Sequence, residues 1–488
     1  MASRALLTQA VQSREYPVPL VAGESALLRV FVTSVKETDE VIPPVRATFF
    51  VDGAEAHVAE IAAGSSAIPT RVQEGELGLS ANAEIPAAVI QPGLEMVVDI
   101  DSDGTLDPSL GVVQRIPAEG RKALDVRAMP TLDLTLIPFV WTGNNDRRAA
   151  SLVDELHPAH EMLWATNDLL PVGALELTKH DPVMTDSNNA FTLVREVERI
   201  RALEGGTGHW KGLLYDPAGN IGGVARTPGK VSFVHPEASI MAHELGHNFS
   251  LGHANCRVND ADPRYPWPNG SIGVWGYDSR DGGSLVSPDA PDLMSYCHPR
   301  WVGDYSFTNS LKFRLVDEGA PSAARTATRS LLVSGEVRAD GSLRLDPAFV
   351  VDAPPVVPDA AGPYTLTGTR ADGTELFSLT FDMGEVAHGD GRSWFVFALP
   401  VQPEWESELA GLSVLGPDGA DEMGEGSESP QAIVLDPRTG QVRGVLRGLP
   451  AGPLARSDLG ALAADPGLDV LISYGVPDSA AWRSANRF

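Results

Sequence analysis

HELGHNFSLGH, residues 243–253, is the stretch on which the reading of the chain turns. On a helix, His243 and His247 are four residues apart and project from one face, so two imidazole nitrogens can reach a single ion at about 2.0–2.1 Å. Glu244, beside the first of them, stands to the side of such an ion, where a carboxylate can hold and deprotonate a bound water. A catalytic zinc needs a third protein ligand and an open fourth position. His253 follows His247 by six residues, beyond the loop-prone Ser250 and Gly252, and supplies that ligand if the chain turns back. The rival third ligand, a downstream glutamate, is absent, because no glutamate occurs from Asn248 through Asp317. The bland alternative is a helix whose histidines cap or fill a core. Chance placement of three histidines and a glutamate at these offsets is on the order of a few in ten thousand, which favours the metal site.

Outward from this motif the texture is mixed helix and strand. LDLTLIPFVW (132–141) reads as a strand, DRRAASLVDELHPAHEMLWATNDLL (146–170) as a helix, and VGALELTKH (172–180) as a strand. AFTLVREVERIRALEG (190–205) is a helix stopped by Gly205 and Gly206. WKGLLYD and KVSFVH are extended, and a helix begins near Pro236. The expected unit is a central α/β (α+β) domain over 129–318. Before it, residues 1–128 carry short alternating stretches (SALLRVFVTSV, VRATFFVDG, HVAEIAAG, LEMVVDID) that predict an Ig-like β-sandwich. After it, GAPSAARTATRS (319–330) has linker composition, and SLLVSGEV, ELFSLTFD, SWFVFALP and DVLISYG predict a second all-β sandwich over 331–488. Within that last region, 418–430 reads as an acidic solvated loop. Asp99, Asp101, Asp103 and Gly104 form a DxDxDG string that makes Ca²⁺ a candidate ligand, but the twelfth position is Leu110 where a calcium loop needs glutamate, and an Asp/Gly turn explains it equally.

A length of 488 residues with 43% apolar side chains suits about three domains, each with its own core. Lys and Arg number 37 against 65 Asp and Glu, a net charge of -28, which repels phosphate backbones and argues against nucleic acid as a partner. No apolar run approaches the roughly 20 residues of a membrane span. The pattern carries no signal for oligomeric state.

Together with DLMSYC (292–297), the HExxHxxxxxH string resembles the metzincin clan of zinc endopeptidases, over about 190 of the 488 residues. The resemblance implies one catalytic Zn²⁺ on His243, His247 and His253, with Glu244 as general base. It implies that Met294 forms an apolar floor beneath the histidines. The Met-x-Tyr form, similar to astacin and serralysin sites, implies that the Tyr296 hydroxyl approaches the metal and the oxyanion. One departure from the clan's pattern is Ser250 where a glycine makes the sharp turn. A left-handed backbone there costs a non-glycine residue about 1 kcal/mol. Cys256 and Cys297 flank the third ligand and the methionine turn, so the resemblance implies a disulfide between them, closing a loop worth up to about 4 kcal/mol.

A disulfide implies an oxidising compartment, and the expectation is an exported protein, secreted, cell-surface or periplasmic, whose leader was trimmed or misassigned. The extended Val231–Val234 segment, with Val231 and Phe233, is expected to be the sheet edge onto which a substrate strand adds. Trp275 and Tyr277, in the loop after the third ligand, and His298, just past the turn, are further candidates for substrate contact. The expected activity is hydrolysis of extracellular proteins or glycoproteins. The alternative is a surface adhesion or glycan-binding protein in which the zincin domain is a minor or inactive component. His157 and His160 lie at helical spacing beside Glu161, but Pro158 between them interrupts the helix, and His180, His209, His235 and His298 have no ligand-like neighbours in sequence.

Overall fold

The computed structural model describes residues 4–13, 18–219, 221–319, 326–426, 429–450, 466–478 and 481–482. The chain is β-rich, with several sheets and few helices among the described residues. It divides into two compact units, one of Met1–Leu132, Trp164–Leu175 and Leu251–Ala320, the other of Asp133–Leu163, Glu176–Ser250 and Pro321–Phe488.

In the first unit, strands Arg4–Thr8, Ala26–Phe31 and Ala81–Ile85 form one antiparallel sheet. Lys122–Ala123, Leu94–Ile100, Val45–Val51 and Ala54–Ile61 form a second. Inward residues of both, among them Leu28, Val30, Phe49, Met96 and Val98, share one buried core, as alternating strands with one wet face require. Leu94–Ile100 runs into the DxDxDG string, where Asp101 caps its own turn by accepting from Thr105 and Leu106, and Asp99 faces Arg115. These carboxylates are therefore engaged in turn and surface contacts, and no Ca²⁺ ligand set forms from them among the described residues.

The second unit is built on a large sheet. Its central strands, Val231–Val234, His209–Leu213, Leu132–Trp141 and Val183–Thr185, are parallel neighbours in that order. Helix Ala190–Glu204 covers them with Leu193, Val194, Val197 and Ile200; Asn189 caps its start and Gly205, at φ 63°, ends it. The expected helix over 146–170 is instead two short helices, Arg148–Glu155 and Trp164–Leu169. Pro158 lies in the gap, where it removes a donor and disfavours helical backbone before it.

Two further sheets, Leu343–Ala353/Thr328–Val337/Ser393–Pro400 and Glu375–Phe381/Tyr364–Thr369/Gly411–Gly416/Gly419–Gly424, sandwich a core that includes Leu331, Phe395, Phe397, Leu366, Phe381 and Val414. Gly419–Gly424 is thus a strand of a hairpin, not the solvated loop expected over 418–430, and residues 427–428 lie outside the described residues.

The first unit's last segment ends at Ala320 and the second unit resumes at Pro321, so that the second unit joins sequence from before and after the expected 319–330 linker. Strands Val442–Leu446, Gln431–Leu435 and Asp469–Ser473 extend the large sheet past Val183–Thr185, and Glu385–Ala387 joins its opposite side. Residues 320–325 of the expected linker lie outside the described residues. The reason for the merging is also ionic. Asp346 takes Arg195 and Arg199 (2.8 Å) of the covering helix, and Arg195 also pairs with Glu336, so two carboxylates balance two buried guanidiniums across the two sequence regions. Burial alone would raise the Asp346 carboxyl, and the two guanidiniums outweigh it, holding it well below the usual range.

Candidate metal and peptidase site

The motif's helix spans Ala238–Asn248 and packs on the hairpin of Gly223–Thr227 and Val231–Val234. Met241, Ala242 and Leu245 are fully buried on it, and Asn248 at its end donates from Nδ2 to the carbonyls of Arg226 (3.0 Å) and Val231 (2.9 Å). This clamp fixes the helix against the hairpin strands, so the face bearing the two histidines has a set direction. Nε2 of His247 lies 3.1 Å from Nε2 of His243, with both rings buried. Two nitrogens about 2.05 Å from one ion at the tetrahedral angle stand about 3.3 Å apart, so the pair is spaced as two ligands of one metal.

Glu244 is 2% exposed, and its Oε2 is buried without a hydrogen-bond partner. A buried carboxylate oxygen left unpaired is costly unless a group that the protein does not itself supply meets it. Room for this side chain comes from Gly223, where a Cβ would stand 2.5 Å from Cγ of Glu244. On the neighbouring strand, Lys211 is buried and donates to Ser232 Oγ at 2.7 Å. Burial pushes its ammonium down to about 7, opposed by the charge of Glu244.

A third histidine in this unit was not foreseen. His388 stacks on His243 with ring centroids 5.7 Å apart, meets His247 edge-on at 5.3 Å, and places Nε2 3.5 Å from Oε1 of Glu244. One ring nitrogen from each of His243, His247 and His388 lies within 4.8 Å of the other two. These residues fit a metal: three imidazoles converge, and a carboxylate with one unpartnered oxygen, Glu244 Oε2, stands beside them. His388 sits in HGDG, residues 388–391, whose only local signal is turn chemistry.

The first unit holds the other motif residues. Ser250, just before the unit begins, has φ 69°, so the left-handed turn does fall on the serine, and a Cβ on Gly252 would stand 3.0 Å from Asp262 Cβ. His253 is buried, with Nδ1 2.7 Å from Asp260 Oδ1. Its ring meets Tyr296 edge-on at 5.2 Å. Cys256 and Cys297 are disulfide-bonded. The Ala254 and Tyr296 amides donate to the carbonyls of Met294 and Cys256, so the stretch after the motif and the methionine turn are stitched together. Met294 is fully buried. Its turn is held by Asp292, a fully buried carboxylate accepting from Met294 N, Gly303 N and Ser306 Oγ. Burial pushes that carboxyl up, against these donors.

Val231 and Phe233 are placed differently from expectation. Val231–Val234 is not an edge: it pairs with His209–Leu213 on one side and Gly223–Thr227 on the other, and Val231 and Phe233 are core side chains. Trp275 and Tyr277 lie in strand Trp275–Asp278, which pairs with Val11–Gln12, and their rings pack over Gly75 and Gly283. His298 is exposed. His157, His160, His180, His209, His235 and His298 join no set of three candidate ligands among the described residues. His180, for example, is bonded to Glu204 and to the Asp181 carbonyl.

No curated protein matches the chain. The family described as Peptidase M66 matches over residues 206–296, from the strand carrying Lys211 through the motif to Tyr296, and not as far as His388. In this segment the chain is similar to that family, and the match together with the buried histidines supports a metallopeptidase.

Proposed function

We propose that the protein is a zinc-dependent endopeptidase of the metzincin type, exported and acting on extracellular proteins or glycoproteins. The observation that carries this reading is the pair of Nε2 atoms of His243 and His247 beside the unpaired Oε2 of Glu244. His243, His247 and, by the spacing of the motif, His253 would hold Zn²⁺. When bound, the ion would supply positive charge that acidifies a water and polarises the scissile carbonyl. Glu244 then takes the proton from the attacking water and returns it to the leaving amine. Tyr296, by the same resemblance, donates its hydroxyl proton towards the oxyanion. Met294, by the same resemblance, would supply an apolar floor and no polar chemistry. Glu244→Gln removes the base and keeps the ligands. It should retain stoichiometric zinc and lose at least a thousandfold in kcat on casein, and cleavage at the wild-type rate would refute the assignment.

One observation favours a second reading. A metal held by four protein nitrogens is the usual form of a structural site, and His388 offers a further imidazole. A binding or adhesion protein with a structural metal would carry zinc and cleave nothing in a broad peptide library.

A further inference from the structure

The sheet edge next to the histidines is already filled by the chain itself. Gly223–Thr227 has Val231–Val234 on its inner side, and on its outer side Glu385–Ala387 adds antiparallel, with Ala225 opposite Ala387, Arg226 opposite Val386 and Thr227 opposite Glu385. A peptide that binds by strand addition needs that outer side. The next residue after the added strand is His388, against His243, His247 and Glu244. Main-chain occupancy of the edge and side-chain occupancy of the centre are therefore joined in four consecutive residues.

The backbone here is under strain. His388 and Asp390 have φ of 64° and 47°, a left-handed conformation that disfavours both side chains, and Gly391 follows at 82°. Non-glycine residues held there cluster at functional sites. The loop is also tethered at its base, where Ser393 Oγ donates to the Gly384 carbonyl at 2.8 Å and Arg226 Nη2 donates to the Trp394 carbonyl at 2.7 Å. Only three residues pair with the edge, so a longer substrate strand offering the same main-chain bonds competes with it.

We infer that residues 385–388 are an internal latch, a substrate-like strand whose His388 takes the metal position that a hydrolytic centre keeps for water, so that the enzyme is latent until a peptide strand displaces it. This rests on the endopeptidase reading, since only a site that processes peptides has an edge to blockade. The chemistry of the displacing partner follows: an extended polypeptide that adds main-chain hydrogen bonds to Gly223–Thr227.

The test compares the full-length wild type with His388→Gly. Glycine at φ 64° relieves strain, so the variant keeps its fold, which its melting temperature checks. Both proteins are loaded with Co²⁺ and titrated with acetohydroxamate, a small metal-chelating anion, with the visible Co²⁺ bands as readout. With zinc, kcat and KM are measured on an extended fluorogenic peptide. The latch requires acetohydroxamate to bind H388G at least tenfold more tightly and kcat/KM to rise at least tenfold, mainly through KM. The gain must vanish in the double variant E244Q/H388G. Val386→Pro, which disrupts the added strand and leaves His388 in place, must also lower KM.

Unchanged hydroxamate affinity in H388G overturns the latch whatever the activity does. A fall in kcat at constant KM also overturns it, making His388 a catalytic residue. Tighter hydroxamate binding without cleavage by either protein supports the occupancy of the metal position and sinks the endopeptidase reading. Failure to take up Co²⁺ overturns both.

Discussion

Gly223 and Glu244 are matched as space and occupant: the carboxylate arm of Glu244 lies where a side chain on residue 223 would begin, with Glu244 Cγ 2.5 Å from the Cβ position. The strand beside the motif's helix thus sets where the proposed base stands. Gly223→Ala should push the carboxylate aside. A misplacement of about 1 Å costs on the order of a hundredfold in rate, so kcat should fall by about that factor while zinc content and melting temperature change little. Steady-state kinetics on the zinc-loaded variant check this, and an unchanged kcat would remove Gly223 from the account.

Ser250 carries the left-handed turn that leads from the helix to His253. That conformation costs a non-glycine residue roughly 1–2 kcal/mol, and glycine gives back about 0.5–1 kcal/mol in unfolded-state freedom. Ser250→Gly should therefore stabilise the protein by about 0.5–1 kcal/mol without altering zinc binding. Chemical denaturation of the two proteins side by side measures the difference.

Lys211 has its ammonium lowered from 10.5 to about 7 by burial, against the charge of Glu244. The folded state thus binds fewer protons than the unfolded state between about pH 7 and 10.5, so stability rises with pH across that window and the cost is fully present below pH 7. Lys211→Met removes the cost. The variant should be more stable than wild type at pH 6–7, and its advantage should shrink steadily towards pH 10. Melting temperatures across that range report it, and a constant difference would mean that Lys211 is not the titrating group.

What was legible in the sequence follows how local each signal was. His243, Glu244 and His247 share one helix of a regular period, so their common face could be read from spacing alone, and the turn at Ser250 could be located from the same string. The disulfide and the buried Met294 followed from resemblance. The edge strand could not be read locally. Val231–Val234 looks like any extended run, and it is no edge because Gly223–Thr227 pairs with it; that strand's own outer side is in turn taken by Glu385–Ala387, about 150 residues later in the chain. His388 fails for the same reason: nothing near it resembles a ligand, and only the fold of the chain after residue 321 carries it to the helix. The last β region looked separable because its strands alternate cleanly. The carboxylate of Asp346, set among Arg195 and Arg199, is a pairing that no periodicity reveals.

If His243, Glu244 and His247 are the core of a hydrolytic zinc centre, cleavage must depend on the metal, and metal analysis coupled to cleavage decides it. The purified chain, its elemental content measured, is assayed on casein before and after 1,10-phenanthroline and again after zinc is restored. About one zinc per chain, loss of cleavage with the metal and recovery on its return are the expected results. Cleavage that persists in metal-free protein, or a chain that binds no zinc, would contradict the account.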